Sequence, residues 1–316
     1  MTVAARRAAV VPAMLLLGAL PGCTESATSS ASATASPFVQ ASRPPAATAV
    51  AANPLDACPE VRDLATVTPL ARLSGEPDDL AVTADGHIWV SLHAAGRLVE
   101  LDRSANMVAS LADAQGPEGI VVLADGRLAV AEQQPNRIDI VDAASGARTP
   151  LITLPGESGE GVGVDGLGID LSGSHLLVPD SPAGTLLLVP LSGGRATTLA
   201  TGLGRPVSAA MLTDSSVLVA VENEPGLVRV GLQGRVVPVV AAGALESVDE
   251  VLVHRGLAYV TDLVAGTLAA VDPSTGKLRV LVRGSPAPQG LAITPDGRLL
   301  LVDSSRGVIA SVPACS

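Results

Sequence analysis

Carboxylates recur in this chain at fixed places in a repeating pattern. Six short segments each set polar residues directly before an apolar run: Pro77-Asp78-Asp79-Leu80, Pro117-Glu118-Gly119-Ile120, Val164-Asp165-Gly166-Leu167, Pro206-Val207-Ser208-Ala209, Val248-Asp249-Glu250-Val251 and Pro288-Gln289-Gly290-Leu291. At the second position of these segments stand Asp78, Glu118, Asp165 and Asp249, with Val207 and Gln289 in the other two. A second set, Glu132, Asp180, Glu222, Asp262 and Asp303, closes the apolar run that follows, where the first repeat has Leu92. Crowded carboxylates repel one another, and a bound divalent cation such as Ca2+, which takes about 6–8 hard oxygen ligands, relieves that repulsion. The same residues can instead cap strands by accepting hydrogen bonds from backbone amides. Both uses stay open for both sets. The inner set (Asp78, Glu118, Asp165, Asp249) is the candidate metal site and the outer set the candidate ligand face, although an acid recurring in five repeats also tracks the repeat itself.

The remaining reactive groups are few. His87, His93, His175 and His254 show no metal-ligand spacing. Only His93, directly after Leu92, falls at the acidic end of its repeat, which makes it a candidate general base; the alternative is a solvated loop histidine. Gly161-Val162-Gly163-Val164-Asp165-Gly166 matches a dinucleotide-binding pattern, but no strand-to-helix crossover surrounds it, so no nucleotide cofactor is expected. No Gly-x-Ser-x-Gly elbow supports a nucleophilic serine.

The elements that must position these residues repeat with a period of about 40 residues, the range of propeller blades. Each repeat reads as four strands: the run after the polar segment, a second run after a turn such as Asp85-Gly86, Asp125-Gly126 or Asp296-Gly297, a third such as 97–102 or 267–272, and a fourth such as 278–282. The last repeat stops after its third strand at 308–312, whereas 67–73 is an orphan strand ahead of the first. An all-β six-bladed β-propeller over 54–316 follows, its ring closed by the N-terminal strand completing the last blade. First strands run away from one face and second strands return to it, so both acidic sets share one mouth. Apolar residues make up 47% of the chain and aromatics 1%, so the core is built from Val, Leu, Ile and Ala. A formal net charge of −11 argues against nucleic acid as a partner.

Ahead of the repeats, Arg6 and Arg7 precede an apolar run from Ala8 to Leu20, the pattern of a signal peptide over 1–22. The run ends in Leu20-Pro21-Gly22-Cys23, which resembles a bacterial lipobox with Cys23 as the lipidated residue. Residues 23–53, rich in Ser, Ala, Thr and Pro, read as a disordered tether. The expected location is extracytoplasmic, on the outer side of the cell membrane, held by the lipid alone. Disulfides persist there, and ring closure brings Cys58 beside Cys315, so these two are expected to be bonded.

The segments 117–120, 164–167 and Ala124-Asp125-Gly126-Arg127-Leu128-Ala129-Val130 resemble the gluconolactonase (senescence-marker-protein-like) and NHL-repeat group of six-bladed propellers, over roughly residues 67 to 312. The resemblance implies a divalent cation, usually calcium, in the central channel, held by carboxylate and Asn side chains where the first strands open. The matching positions here are Asp78, Glu118, Asp165, Val207, Asp249 and Gln289. Two functions follow as expectations. One is a monomeric surface propeller binding a small molecule or surface protein through its acidic, loop-rich face. The other is a cation-dependent hydrolase of lactones or related esters, with His93 or an inner carboxylate as base. Lyase chemistry known in related propellers lacks a supporting histidine pair.

Overall fold

The structure is a computed structural model, described here over residues 53–316 except 113, 160, 161, 224 and 232. The signal segment, Cys23 and the tether as far as residue 52 lie outside the described residues. No described helix is long and apolar enough to cross a membrane.

Six antiparallel sheets follow one another along the chain as the six blades of a propeller. Their first strands are Pro77–Val82, Pro117–Val122, Gly168–Ile169, Pro206–Met211, Val248–His254 and Pro288–Ile293. Each pairs with a second strand, such as Ile88–Leu92 or Leu128–Glu132, and then with a third and fourth further out. Both faces of a blade are covered by its neighbours, so the second strands do not alternate: Leu128–Glu132 and Val217–Val221 are buried throughout, and His175–Asp180 and Arg298–Asp303 are buried at all but their first residue. Fourth strands such as Met107–Leu111 form the wetter rim. The core is divided among the junctions between blades. One cluster joins Leu80, Val90 and Leu101 of blade 1 to Leu300, Val302 and Ile309 of blade 6.

The ring closes as the repeat count requires. Pro69–Arg72 pairs antiparallel with Val308–Pro313, so blade 6 takes three strands from the C-terminus and its outermost from the N-terminus. Cys58 is bonded to Cys315 across a sequence separation of 257 residues. Leu55, Cys58 and Leu64 pack with Tyr259, Leu268 and Leu301 at the junction of blades 5 and 6. One feature was not expected. Arg62–Asp63 runs parallel to Leu278–Arg283 and gives blade 5 a fifth strand. Two residues flanked by short 3-10 turns carry no strand periodicity, which is why sequence patterning passes over them.

Candidate metal site at the channel mouth

The chemistry of the channel begins with a backbone irregularity. In five of the six blades the pairing of first and second strands shifts register just after the first strand begins: between Pro77 and Leu80, Pro117 and Ile120, Pro206 and Ser208, Val248 and Val251, and Pro288 and Leu291. Bulges of this kind leave residues without ladder partners and re-aim their side chains. Here the freed backbone is satisfied locally. Ser91 Oγ accepts from Asp79 N at 2.9 Å, Thr261 Oγ1 accepts from Glu250 N at 3.0 Å, and Gly119 N donates to the carbonyl of Asp165 at 3.1 Å in the next blade.

The bulges carry two tiers of residues. The upper tier, at the mouth, holds the inner acidic set. Ligand atoms of Asp78, Glu118 and His93 all lie within 4.8 Å of one another, with the two carboxylates buried. His93 Nδ1 stands 3.4 Å from Glu118 Oε1, and Gln289 Nε2 donates to Asp78 Oδ2 at 3.2 Å. Asp165 lies 3.9 Å from the Arg205 guanidinium, which also pairs with Glu222. Val207 is fully buried in the packing between blades 4 and 5 and offers no ligand.

Burial pushes Asp78 up from the usual carboxylate range, while its hydrogen bond with Glu118 and the nearby His93 work the other way. Glu118 is raised well above the ordinary value by burial and then by the charges of Asp78, Asp165 and Asp249. Asp165 and Asp249 are raised well above it too, by burial first and then by their acidic neighbours across the channel. Thus four acids from four blades meet in one field, as repeat phasing implies. Gln289 Oε1 is buried and has no hydrogen-bond partner among the described residues. Repelling carboxylates, an imidazole and an orphaned amide oxygen form a donor set suited to a divalent cation, with oxygen ligands for a hard ion and one nitrogen tolerated by a borderline ion.

The lower tier was not singled out by sequence reasoning. Its positions are Asp79, Gly119, Gly166, Ser208, Glu250 and Gly290. Asp79 Oδ2 accepts from Ile120 N at 2.9 Å, and Glu250 Oε1 accepts from Val251 N at 2.9 Å and from the Ser208 hydroxyl. Burial pushes Asp79 up to about 7, and burial followed by the charge of Asp79 holds Glu250 well above its ordinary value. The available signal was the residue after each inner-set position, which is acidic in blades 1 and 5 and glycine in blades 2, 3 and 6. Glycine is required where blades touch: a Cβ on Gly119 would lie 2.6 Å from Leu167 N.

Four of the five outer acids are engaged in hydrogen bonds within the fold. Glu132 accepts from Gln115 N and pairs with Arg148. Asp180 accepts from Gly156 N at 3.1 Å and Asn136 Nδ2 at 3.3 Å. Asp262 accepts from the backbone of Glu246, Ser247, Val264 and Ala265, and Asp303 from Ser285 Oγ, Ser305 Oγ and Arg306 N. These four are at most 2% exposed and tie the loop arriving from the preceding blade to their own second strand. They are strand caps, the other use open to them. Only Glu222, paired with Arg205, remains partly exposed on the face. Of the histidines, His93 is at the mouth. His87, 2.9 Å from Glu100, and His175, 3.1 Å from Asp170, lie at the opposite ends of their blades, as does His254.

No protein-family model and no curated protein matches the chain. Solved structures do. A gluconolactonase from Xanthomonas campestris aligns with a TM-score of 0.65 at 16% identity, covering 78% of this chain and 88% of that one. A putative gluconolactonase aligns at 0.64 with 14% identity, covering 79% and 93%. Virginiamycin B lyase from Staphylococcus aureus aligns at 0.58 with 16% identity, covering 75% and 80%. At these identities the likeness speaks for architecture and not for chemistry. The chain is a six-bladed β-propeller, of the architecture that gluconolactonases and virginiamycin B lyases share.

Proposed function

We propose that the channel mouth binds a divalent cation and supports hydrolysis of a lactone or related ester. The observation that carries this reading is the convergence of Asp78, Glu118 and His93 within 4.8 Å, beside the unpartnered Gln289 Oε1. Asp78 and Glu118 would hold the ion with Gln289 completing the set, and Asp165 and Asp249 would add negative charge from the far side of the mouth. A bound cation supplies polarisation of the substrate carbonyl and a more acidic water. His93, against Glu118 and only partly buried, is the group placed to take a proton at the mouth. Lyase chemistry is less favoured because, among the described residues, the mouth offers one histidine. In the same reading the chain is exported and held by a lipid on Cys23, in keeping with its disulfide.

The test is a melting curve of the protein in chelator and then in millimolar calcium, magnesium, manganese or zinc. Binding to the native state alone raises stability, by about 2.7 kcal/mol when the ion is at a hundred times its Kd. One cation should raise Tm by several degrees, Asp78→Asn with Glu118→Gln should remove that shift, and a lactone and ester screen with that ion should then show turnover. No shift with any cation overturns the proposal, and the acidic face is then to be tested as a ligand- or partner-binding surface.

A further inference from the structure

Beyond the two tiers, the channel opens into a cavity of about 390 Å³ at the end opposite the acidic mouth. That size lies within the range of small-molecule sites, which are mostly apolar with a few placed polar groups. The walls come from the far halves of the six first strands, which contribute Val82, Val122, Ile169, Met211, Val253 and Ile293, one from each blade. Among the described residues, the acidic side chains that line it are Asp79 and Glu250, at its inner end. Both are more than nine-tenths buried. Glu250 lines the cavity; its Oε1 is engaged by Ser208 and Val251, whereas Oε2, which no hydrogen bond reaches among the described residues, stands 3.3 Å from where a Gly166 Cβ would be.

Two acids placed at the closed end of an apolar funnel are costly to bury without a partner. The loops are not what leaves space for them; the glycines are. A Cβ on Gly290 would lie 2.5 Å from Asp79 Oδ1, and one on Gly166 would press on both Ser208 and Glu250. We infer that this cavity is a second ligand site, distinct from the mouth, which takes an amphiphilic ammonium: the cationic head donates hydrogen bonds to Glu250 Oε2 and Asp79, and the apolar body lies along Val82, Val122, Ile169, Met211, Val253 and Ile293. An ammonium brings three donors and one compact charge, which suits two acids facing it from different blades. An ammonium favours the ionised form of the two acids, whereas a carboxylate or phosphate headgroup would meet like charge as soon as either ionises. A divalent ion would leave the apolar walls without a role. This site does not depend on the mouth being a metal centre.

Titration calorimetry of the intact disulfide-bonded protein with n-hexylammonium, n-hexanol and n-hexanoate tests the inference. The ammonium should bind at least about ten-fold tighter than the alcohol, a difference of about 1.4 kcal/mol, and the carboxylate should not bind. Glu250→Gln should remove most of the preference for ammonium over alcohol. Because that substitution touches the Ser208 bond, a second variant at the open end, Ile293→Arg, carries the test independently: it should abolish ammonium binding while the melting temperature stays within a few degrees of the parent. Equal affinity for hexylammonium and hexanol, or full ammonium binding by Ile293→Arg, overturns the inference, the second outcome by assigning the ammonium to the acidic mouth.

Discussion

Asp79 Oδ2 accepts a hydrogen bond from the backbone N–H of Ile120 at 2.9 Å, so that a buried carboxylate of blade 1 satisfies a backbone donor of blade 2 where strand pairing resumes after the register shift. Blade 6 makes room for it with Gly290, whose added Cβ would meet Asp79 Oδ1 at 2.5 Å and Asp79 Cα at 2.6 Å. The second contact is with backbone, so no side-chain rotation relieves it. Gly290→Ala should therefore cost about 1–3 kcal/mol, as overpacking does. Gly126→Ala is the control, since its Cβ meets nothing within 4 Å and only the left-handed backbone, φ +84°, opposes it. That cost should be about 1 kcal/mol. Denaturant midpoints of the two variants check the order, and a Gly290→Ala no worse than Gly126→Ala would mean that the tiers are not closely packed.

How far the sequence reaches is visible in these same residues. Repeat phase is enough to bring Asp78, Glu118, Asp165 and Asp249 to one mouth, because strand direction alternates strictly within a blade and one residue per repeat marks the same height. It also pairs Cys58 with Cys315, since both sit beside the strands that close the ring. The lower tier is invisible to that argument. Whether Asp79 turns into the channel depends on a register shift between Pro77 and Leu80, and a slip of one residue reverses which face a side chain takes. Gln289 is a similar case: its place opposite Asp78 shows only once blade 6 is closed against blade 1. The caps Asp180 and Asp262 repeat as faithfully as any ligand would, and only their bonds to loop amides tell the two uses apart.

Removing the disulfide should destabilise the ring without touching the mouth. Cys58 and Cys315 close a loop of 257 residues in separation, for which the chain-entropy account gives up to about 5 kcal/mol. The bond also fixes Leu55 and Leu64 onto blades 5 and 6. Cys58→Ser with Cys315→Ser should lower Tm by several degrees and retain the full Tm increment on adding the mouth cation. Loss of that increment would show that ring closure and the mouth are coupled.

Without cation, stability should fall as pH rises. Asp79 has an ordinary value of 3.8 and is pushed up to about 7 in the folded chain, so between those values the native state holds a proton that the unfolded state has released. A group raised in this way favours folding below its unfolded value, and that contribution is lost as pH climbs through the folded one. Glu118, Asp165, Asp249 and Glu250 act in the same direction. Surface carboxylates lowered by turn hydrogen bonds, such as Asp102 and Asp142, have the opposite sign but titrate below their ordinary 3.8, outside this window. Melting in chelator should show Tm higher at about pH 5 than at about pH 8, with Asp79→Asn flattening the slope. A Tm that rises over that interval would mean that the channel acids are stabilised as anions.

The two uses of acids on the mouth face can be separated by one pair of substitutions. Asp262 accepts from four backbone N–H groups and is 2% exposed, so Asp262→Ala takes the shared acceptor away from four partly buried loop donors. Water reaches part of these donors, so a loss of about 1–3 kcal/mol is expected for the cap as a whole. Among the described residues Glu222 pairs with Arg205, and both side chains are partly exposed, so Glu222→Gln should cost no more than about 1 kcal/mol. Neither is a ligand of the mouth, so both variants should keep the cation-induced Tm increment. An Asp262→Ala protein that is as stable as its parent but has lost the increment would instead make the outer ring part of the cation site, because a cap cannot be removed without cost and a ligand can.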